Sequence, residues 1–390
     1  MQQKAYLMVP GPTPIPERVQ AAMSRPMINH RGPGYEAMFR DISARLKTLF
    51  HTKHDVLTYP SSGTGVMEAA IVNFFSPGDK ILLVSIGVFG DRLGEIATTY
   101  GLNVEKIAVK WGEMACPEQL AARLAEDKAG EIKGVLLTHN ETSTGVTNDV
   151  CALAKAKGKH PALLIVDAVS ALGAIPMRMD DWEIDVVVTG SQKALMIPPG
   201  LGFMALNDRA WAAYDKSALP KYYLDAKKVK KSLDKGQNPY TPPVSLLYGL
   251  HESLQMIAEE GEETIAARHI LLGKAVRAGV KAMGLRLFAA DGAASSVVTA
   301  VWAPEGVNGK DVQKKMRDAF GITIAGGQKE LEGKIFRIGH LGYAAAADVL
   351  VTLAMLEMTL TELGVKVSLG AGVAAAQTVF LAAHKEEKQA

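Results

Sequence analysis

An α/β fold, with a mostly parallel doubly wound sheet followed by a smaller α+β domain, is predicted by three features of the sequence. Short apolar, β-branched runs alternate with stretches of helical apolar spacing from about residue 56 to residue 206, the pattern of repeated βαβ units. Those runs are apolar throughout rather than at every second residue, as expected of strands covered on both faces. From about residue 285 the regular alternation gives way to a different mix of strand-like runs and helices. A chain of 390 residues is long enough for two domains and a large core. The expected division is an extended arm at 1–20, a large α/β domain at 21–260, and a small α+β domain at 261–390 that carries an interdomain helix and a C-terminal helix.

Taken in order, Leu7-Met-Val-Pro-Gly-Pro-Thr-Pro-Ile-Pro16 is an extended arm, because proline removes donors and fixes φ. Gly11 within it suits backbone lying close to a ligand. A helix follows from Glu17 to about Arg25, then a loop at Asn29–Gly34. Tyr35–Phe50 has apolar residues at helical spacing (Met38, Ile42, Leu46, Leu49). Val56–Pro60 leads through Ser61-Ser-Gly-Thr-Gly65 into a helix at Val66–Phe75. Gly78–Ser85 reads as a strand, with Gly87-Val-Phe-Gly-Asp-Arg92 at its tip and a helix from Leu93 to Tyr100. A strand at Val104–Val109 and a helix at Pro117–Asp127 precede the buried strand Gly134–His139. Its tip, Asn140–Gly145, is dense in hydroxyl and acidic groups.

A further helix leads to the strand Ala162–Asp167, and Asp185–Gly190 is the next strand. Ile197–Leu206 is a loop into a strand expected at an antiparallel edge. Asn238-Pro-Tyr-Thr-Pro-Pro243 breaks structure before a strong helix at Val244–Glu260, whose continuation to Met283 is expected to cross between domains. Beyond it, strands are expected at Leu285–Phe288, Val297–Trp302, Ile322–Ile324 and Ile335–Ile338, with helices at Lys310–Phe320 and Ala346–Leu363. The tail from Val367 to Ala382 reads as a packed terminal helix running into Lys385-Glu-Glu-Lys388.

Ligands of open α/β sheets bind outside the carboxyl ends of the strands. The runs ending at Asp167 and leading to Lys193 bring a carboxylate and an amine to one such crevice. A lysine able to form a Schiff base, near an acid able to hold a protonated pyridine nitrogen, is the minimum equipment for pyridoxal phosphate chemistry. Taken singly, Lys193 also reads as a solvated loop lysine and Asp167 as a helix cap. Small and hydroxylated residues at Ser62-Gly-Thr-Gly65 leave N–H groups free for a phosphate at a helix start, or form a simple N-cap with a glycine turn. Phe89, flanked by glycines, either lies flat on a planar ring or packs under the following helix.

The bulk composition excludes several classes. With 48% hydrophobic and 22% charged residues the chain is not disordered, and a net charge of +2 gives no reason to expect nucleic acid or an anionic membrane as a partner. Cys116 and Cys151 lack metal-ligand spacing and cannot form a disulfide framework. No secretory apolar run opens the chain and the apolar tail is too short to span a bilayer. The cytoplasm is the expected location.

Eight motifs occur in order: Pro10-Gly-Pro-Thr-Pro14, Asn29-His-Arg-Gly-Pro33, Ser62-Gly-Thr-Gly65, Gly87-Val-Phe-Gly-Asp-Arg92, Thr138-His-Asn-Glu-Thr-Ser-Thr-Gly-Val146, Val166-Asp-Ala-Val-Ser-Ala-Leu-Gly173, Gly190-Ser-Gln-Lys-Ala-Leu195 and Phe336-Arg-Ile-Gly339. Together they resemble the class V pyridoxal-phosphate aminotransferases of fold-type I, most closely the alanine–glyoxylate and serine–glyoxylate branch, from about residue 7 to about 365. The resemblance implies that Lys193 carries the cofactor and shuttles the proton, that Asp167 pairs with the pyridine nitrogen, and that Phe89 stacks on the ring. It implies that Ser62, Gly63, Thr64 and Gln192 hold the phosphate and that Thr142 contacts the 3-oxygen region of the ring. Arg337, with Gly11 of the arm, is implied to bind substrate. Asn238 and Thr241 resemble a loop that reaches the neighbouring subunit's cofactor in a homodimer with shared active sites, although some relatives carry tyrosine where Asn238 stands.

The chemistry suits these residue types. The ring withdraws electrons only while its nitrogen is protonated, so the acid beside it must stay ionised. A bidentate guanidinium grips an α-carboxylate better than an ammonium does. Without the resemblance, Arg337 also reads as a strand-edge arginine in a salt bridge. The leading expectation is a transaminase passing the amino group of alanine or serine to glyoxylate or pyruvate by a ping-pong reaction. Alternatives are 2-aminoethylphosphonate–pyruvate transaminase (with Arg31 and His30 as candidate phosphonate groups), ureidoglycine–glyoxylate transaminase, and a broad aspartate or serine transaminase. A desulfurase is disfavoured because neither cysteine sits on a loop ready to carry persulfide. A catalytically silent interaction subunit on the same fold is the non-enzymatic alternative.

Overall fold

The computed structural model describes residues 5–290 and 292–387. Residues 1–4 of the arm, residue 291, and residues 388–390, which include Lys388 of the charged tail, lie outside the described residues. Seven strands build the main sheet: β1 (Val56–Ser61), β2 (Lys80–Ser85), β3 (Asn103–Ala108), β4 (Ile132–Thr138), β5 (Leu163–Asp167), β6 (Val186–Gly190) and β7 (Gly200–Leu206). Their spatial order is β1-β7-β6-β5-β4-β2-β3. Every neighbouring pair is parallel except the two that β7 makes, with β6 and with β1.

The sequence runs explain this sheet. β4, β5 and β6 are buried almost without interruption, because helices cover both faces and each apolar side chain gains about 1.5–3 kcal/mol on leaving water. β7 corrects one expectation. It is antiparallel, as foreseen, but lies between β6 and β1 rather than at an edge. Leu201 to Leu206 are all buried and the strand is hydrogen-bonded on both sides. The edge strands are β1 and β3.

Two helices start earlier than their apolar spacing suggests. Helix α1 (Gly63–Phe74) begins at Gly63, where Ser62 caps it by accepting from Gly65 N at 3.3 Å. Helix α2 (Val88–Thr99) begins at Val88, which puts Phe89 in its first turn. The long helix expected through Met283 is two helices, α3 (Val244–Glu260) and α4 (Glu262–Ala282). They part at Gly261, whose φ of +84° no α-helix contains.

Past α4, β8 (Val298–Trp302), β9 (Ala325–Gly326) and β10 (Ile335–Gly339) form an antiparallel sheet with β10 in the middle. Leu285–Phe288 is not a strand. It meets β8 through an isolated bridge, Leu287 to Val301, flanked by two hydrogen bonds. Ile322–Thr323 pairs not with this sheet but in parallel with Tyr6–Leu7, which ties the extended arm to the C-terminal part of the chain. Helices α5 (Gly309–Phe320), α6 (Ala346–Glu362) and α7 (Ala371–Glu387) complete the C-terminal part of the chain.

The tail is the packed helix that was expected. The buried Glu357 of α6 accepts from Gly370 N at 2.7 Å and Gly372 N at 2.6 Å, and so anchors the first turn of α7. A second apolar cluster around Leu272, Phe336, Leu353 and Phe380 is distinct from the one that fills the main sheet. Among the described residues no helix is long and apolar enough to cross a membrane.

Candidate active site

The carboxyl tips of β5 and β6 are neighbours, with Asp167 in register with Val188. Asp167 ends β5 and is buried; its Oδ1 accepts from Val169 N at 2.9 Å. Burial pushes its pKa up to about 7; the Glu141 carboxylate adds to this, while the Val169 N–H, Lys193 and Arg92 oppose it. Lys193 lies three residues past the end of β6. Burial, then the positive charge of Arg337, bring its pKa down to about 8, against the pull of Asp167. The amine is therefore partly unprotonated near neutral pH, as a nucleophile needs to be.

The arm closes over this amine. Lys193 Nζ donates to Pro10 O at 2.5 Å, and Thr13 secures the same turn through Thr13 N to Gln192 O (3.1 Å) and Thr13 Oγ1 to Lys193 O (2.8 Å). Gly11 has a φ of +124°, and a Cβ there would collide with Lys193 Nζ. No other residue fits that position.

At the start of α1, the first-turn N–H groups beyond Ser62 point out of the helix with the positive end of its dipole. A Cβ added at Gly190 would lie 3.0 Å from Gln192 Oε1 and 3.3 Å from Gly63 N. The Gln192 amide and the start of α1 thus converge beside Gly190. Gln192 Oε1 is buried and has no hydrogen-bond partner. Its amide, turned over, presents Nε2–H instead. This unmet polar group beside a helix N-terminus fits an oxyanion such as a phosphate monoester.

Phe89, half-buried in the first turn of α2, carries the Arg92 guanidinium 4.8 Å from its ring centroid, and Arg92 Nη1 also donates to Thr64 Oγ1 at 3.4 Å. Thr142 Oγ1 donates to Ser170 Oγ at 2.9 Å, three residues past Asp167. Arg337, in the central strand β10, is buried rather than at a strand edge. It donates from Nε to Gly326 O at 2.7 Å and from Nη1 to Thr142 O at 2.9 Å. Burial lowers its pKa to about 10, which the charge of Glu141 opposes, so it stays cationic at neutral pH. It makes no ion pair with a carboxylate among the described residues, which leaves its charge for an anionic ligand.

Ser62, Gly63, Thr64, Gln192, Phe89, Asp167, Lys193, Thr142, Arg337 and Gly11 are thereby tied together by direct contacts or, for Asp167 with Lys193 and Lys193 with Arg337, by mutual electrostatic influence. Two expected residues are not. The Asn238 side chain is buried and hydrogen-bonded to Tyr35 OH of its own chain, while Thr241 is exposed. Arg31 is occupied by Gln237 Oε1 (2.8 Å), Asn238 O (2.7 Å) and Pro239 O (3.3 Å).

The aminotransferase class-V family model matches residues 5–344. The chain belongs to the class-V aminotransferases. Over 97% of its length it is 47% identical to the whole of the soluble hydrogenase 42 kDa subunit of Anabaena cylindrica. It is 40% identical to the serine–glyoxylate aminotransferase of Methylorubrum extorquens, over 96% of this chain and 95% of that one. Among solved structures, the ureidoglycine–glyoxylate aminotransferase of Bacillus subtilis superposes with a TM-score of 0.91 at 32% identity, covering 97% of this chain and 99% of that one. The fold is fold-type I, and this class-V chain is a pyridoxal-phosphate-dependent transaminase.

Sequence reasoning passed over Glu141, Arg92, Ser170 and the carbonyl of Pro10. All four stand within the eight ordered motifs, and a signal existed for Glu141. It is a carboxylate at the tip of a buried apolar strand, followed by three hydroxyl residues, Thr142, Ser143 and Thr144, where an acid requires a compensating partner.

Proposed function

We propose that this class-V transaminase moves the amino group of alanine or serine to glyoxylate or pyruvate through pyridoxal 5′-phosphate held at Lys193. The observation that carries the reading is the juxtaposition of three groups: the depressed amine of Lys193, the buried carboxyl of Asp167, and the buried, acid-free guanidinium of Arg337. Bound there, the cofactor supplies an electron sink for the bond broken at the substrate α-carbon. The protein's residues do the rest. Arg337 orients the α-carboxylate, and the free-base Nζ of Lys193 takes the α-proton and returns it.

Asp167, its burial offset by a cationic ring, would stay ionised and accept a hydrogen bond from the protonated ring nitrogen. Ser62, Gly63, Thr64 and Gln192 would hold the phosphate, Phe89 the ring face and Thr142 the 3-oxygen side. The arm, with Gly11 pressed against Lys193, narrows the pocket, which supports small amino acids and 2-oxo acids as substrates. The occupied state of Arg31 weighs against a phosphonate substrate.

A homodimer with shared active sites is part of the same proposal. Its support is the exposed Thr241 beside the exposed Tyr222 and Tyr223, whose rings stack on the half-buried Tyr240 at 6.0 Å and 5.1 Å. The buried Asn238 would serve by shaping that loop rather than by reaching across. We place the domain division near Gly261, and the cytoplasm is the compartment we propose, supported by two unpaired cysteines.

The soluble hydrogenase relative favours one second reading, a subunit that serves another enzyme. An intact site is unneeded for that role, so the two readings part in the cuvette. Mixed in turn with alanine, serine, aspartate and aminoethylphosphonate in a stopped-flow spectrometer, the protein reconstituted with pyridoxal phosphate should lose its visible band fastest with alanine or serine. Glyoxylate should restore the band. No spectral change with any donor would leave the silent-subunit reading standing.

A further inference from the structure

The Asn140–Gly145 loop holds a carboxylate for which the chemistry above has no use. Glu141 is completely buried, where a lone charge is strongly disfavoured. Four donors meet it instead. Oε2 accepts from Phe89 N at 3.0 Å and Gly90 N at 3.1 Å; Oε1 accepts from Ser143 N at 3.0 Å and Ser143 Oγ at 2.6 Å. Two of these donors are orphan N–H groups in the first turn of α2, whose dipole favours an anion. Ser143 Oγ in turn accepts from Val88 N at 3.0 Å. The helix cap is glycine for this reason: a Cβ at Gly87 would come within 2.6 Å of both Glu141 Cδ and Ser143 Oγ.

Each side of this clamp carries a residue of the site. One side is the backbone of Phe89. The other is the loop of Thr142, whose carbonyl accepts from Arg337. Burial raises the pKa of Glu141 itself, which the Ser143 hydroxyl and the Gly90, Ser143 and Phe89 N–H groups oppose; in its ionised form it opposes ionisation of Asp167 and favours the charged form of Arg337. From this arrangement we infer that Glu141 is a positioning residue, which locks the Phe89 platform to the loop supporting Arg337 and supplies the buried negative charge between them.

The assignment rests on pyridoxal phosphate occupying the site, so the wild type is measured first. Failure of the wild type to bind the cofactor would overturn the reading of the site and this assignment with it. Glu141→Gln keeps the shape but turns one acceptor into a donor facing N–H groups, so one side of the clamp must open. Expected are a roughly tenfold loss of cofactor affinity and a roughly tenfold rise in KM for the amino donor, with a smaller change in kcat.

A purely structural cap would not move the pH dependence of cofactor affinity. That affinity falls in acid as Asp167 is protonated, and the other charges facing Asp167 are Lys193 and Arg92. His139 beside it is held neutral, its pKa pushed down to about 4 by burial. Removing Glu141's charge should shift the acid limb down by about half a pH unit or more. Glu141→Asp, shorter but still anionic, should leave the limb in place while still weakening affinity. Ser143→Ala removes one bond and no charge, and gives a folded variant if Glu141→Gln does not fold; it should lower affinity and raise KM with the limb unmoved. A Glu141→Gln enzyme with wild-type limb and KM, or a Ser143→Ala enzyme with wild-type affinity and KM, would overturn the assignment.

Discussion

Asp167→Asn removes a charge without changing shape, and in the cofactor-free protein that charge is a liability. Burial raises the carboxyl from 3.8 to about 7. A carboxyl whose pKa rises on folding binds its proton more tightly when folded. Its penalty is therefore absent below pH 3.8, grows as the pH climbs, and is full above about 7. At about 1.4 kcal/mol per pKa unit, the penalty is about 4 kcal/mol at pH 7.5 and about 2 kcal/mol at pH 5. Asparagine retains an acceptor for Val169 N but adds amide donors that offset part of the gain. The change with pH therefore carries the test. Urea unfolding of both apoproteins, at one protein concentration and at pH 5, 6 and 7.5, should show the variant's stability relative to wild type rising by about 2 kcal/mol across that range. Saturating pyridoxal phosphate should reverse the ranking at pH 7.5, because only the ionised carboxylate answers a cationic ring. Parallel pH profiles for the two apoproteins would refute the argument.

Three other expectations follow from the same geometry. Gln192→Leu removes a buried amide whose oxygen has no partner, so apoprotein stability should be unchanged or improved. Affinity for pyridoxal phosphate should drop about tenfold while affinity for pyridoxal holds, as equilibrium titration of both would reveal. Arg337→Ala should raise KM for the amino donor by about a hundredfold, the loss of roughly 3 kcal/mol of charge-assisted binding, and Arg337→Lys should recover only part of it. Gly11→Ala forces a side chain into positive φ and onto Lys193 Nζ. Thermal unfolding should show a loss of about 1–3 kcal/mol, and cofactor uptake followed in the visible should slow.

Where the sequence was legible, the cause was local. The tips carrying Asp167 and Lys193 stand out because β5 and β6 are continuous apolar runs that end in polar residues. Position within the sheet was not local: what lies on the second side of β7 is set by β1, far away in the chain. The early starts of α1 and α2 were hidden because Gly63, Gly65 and Gly90 are poor helix formers. For α2, the capping carboxylate is Glu141, 52 positions from Phe89. Asn238 reads as a loop residue free to reach outward, yet Tyr35, 203 positions away, draws it inward. Gly261 divides the expected long helix because of its backbone conformation, a positive φ that no α-helix contains.

The claim beneath all of this is a covalent one. Pyridoxal phosphate should be mixed with the purified protein, the product reduced with borohydride, and the peptides mapped by mass spectrometry. One pyridoxyl adduct per chain, on Lys193 and lost in Lys193→Ala, is the predicted result. An adduct spread over surface lysines, or none at all, would contradict it.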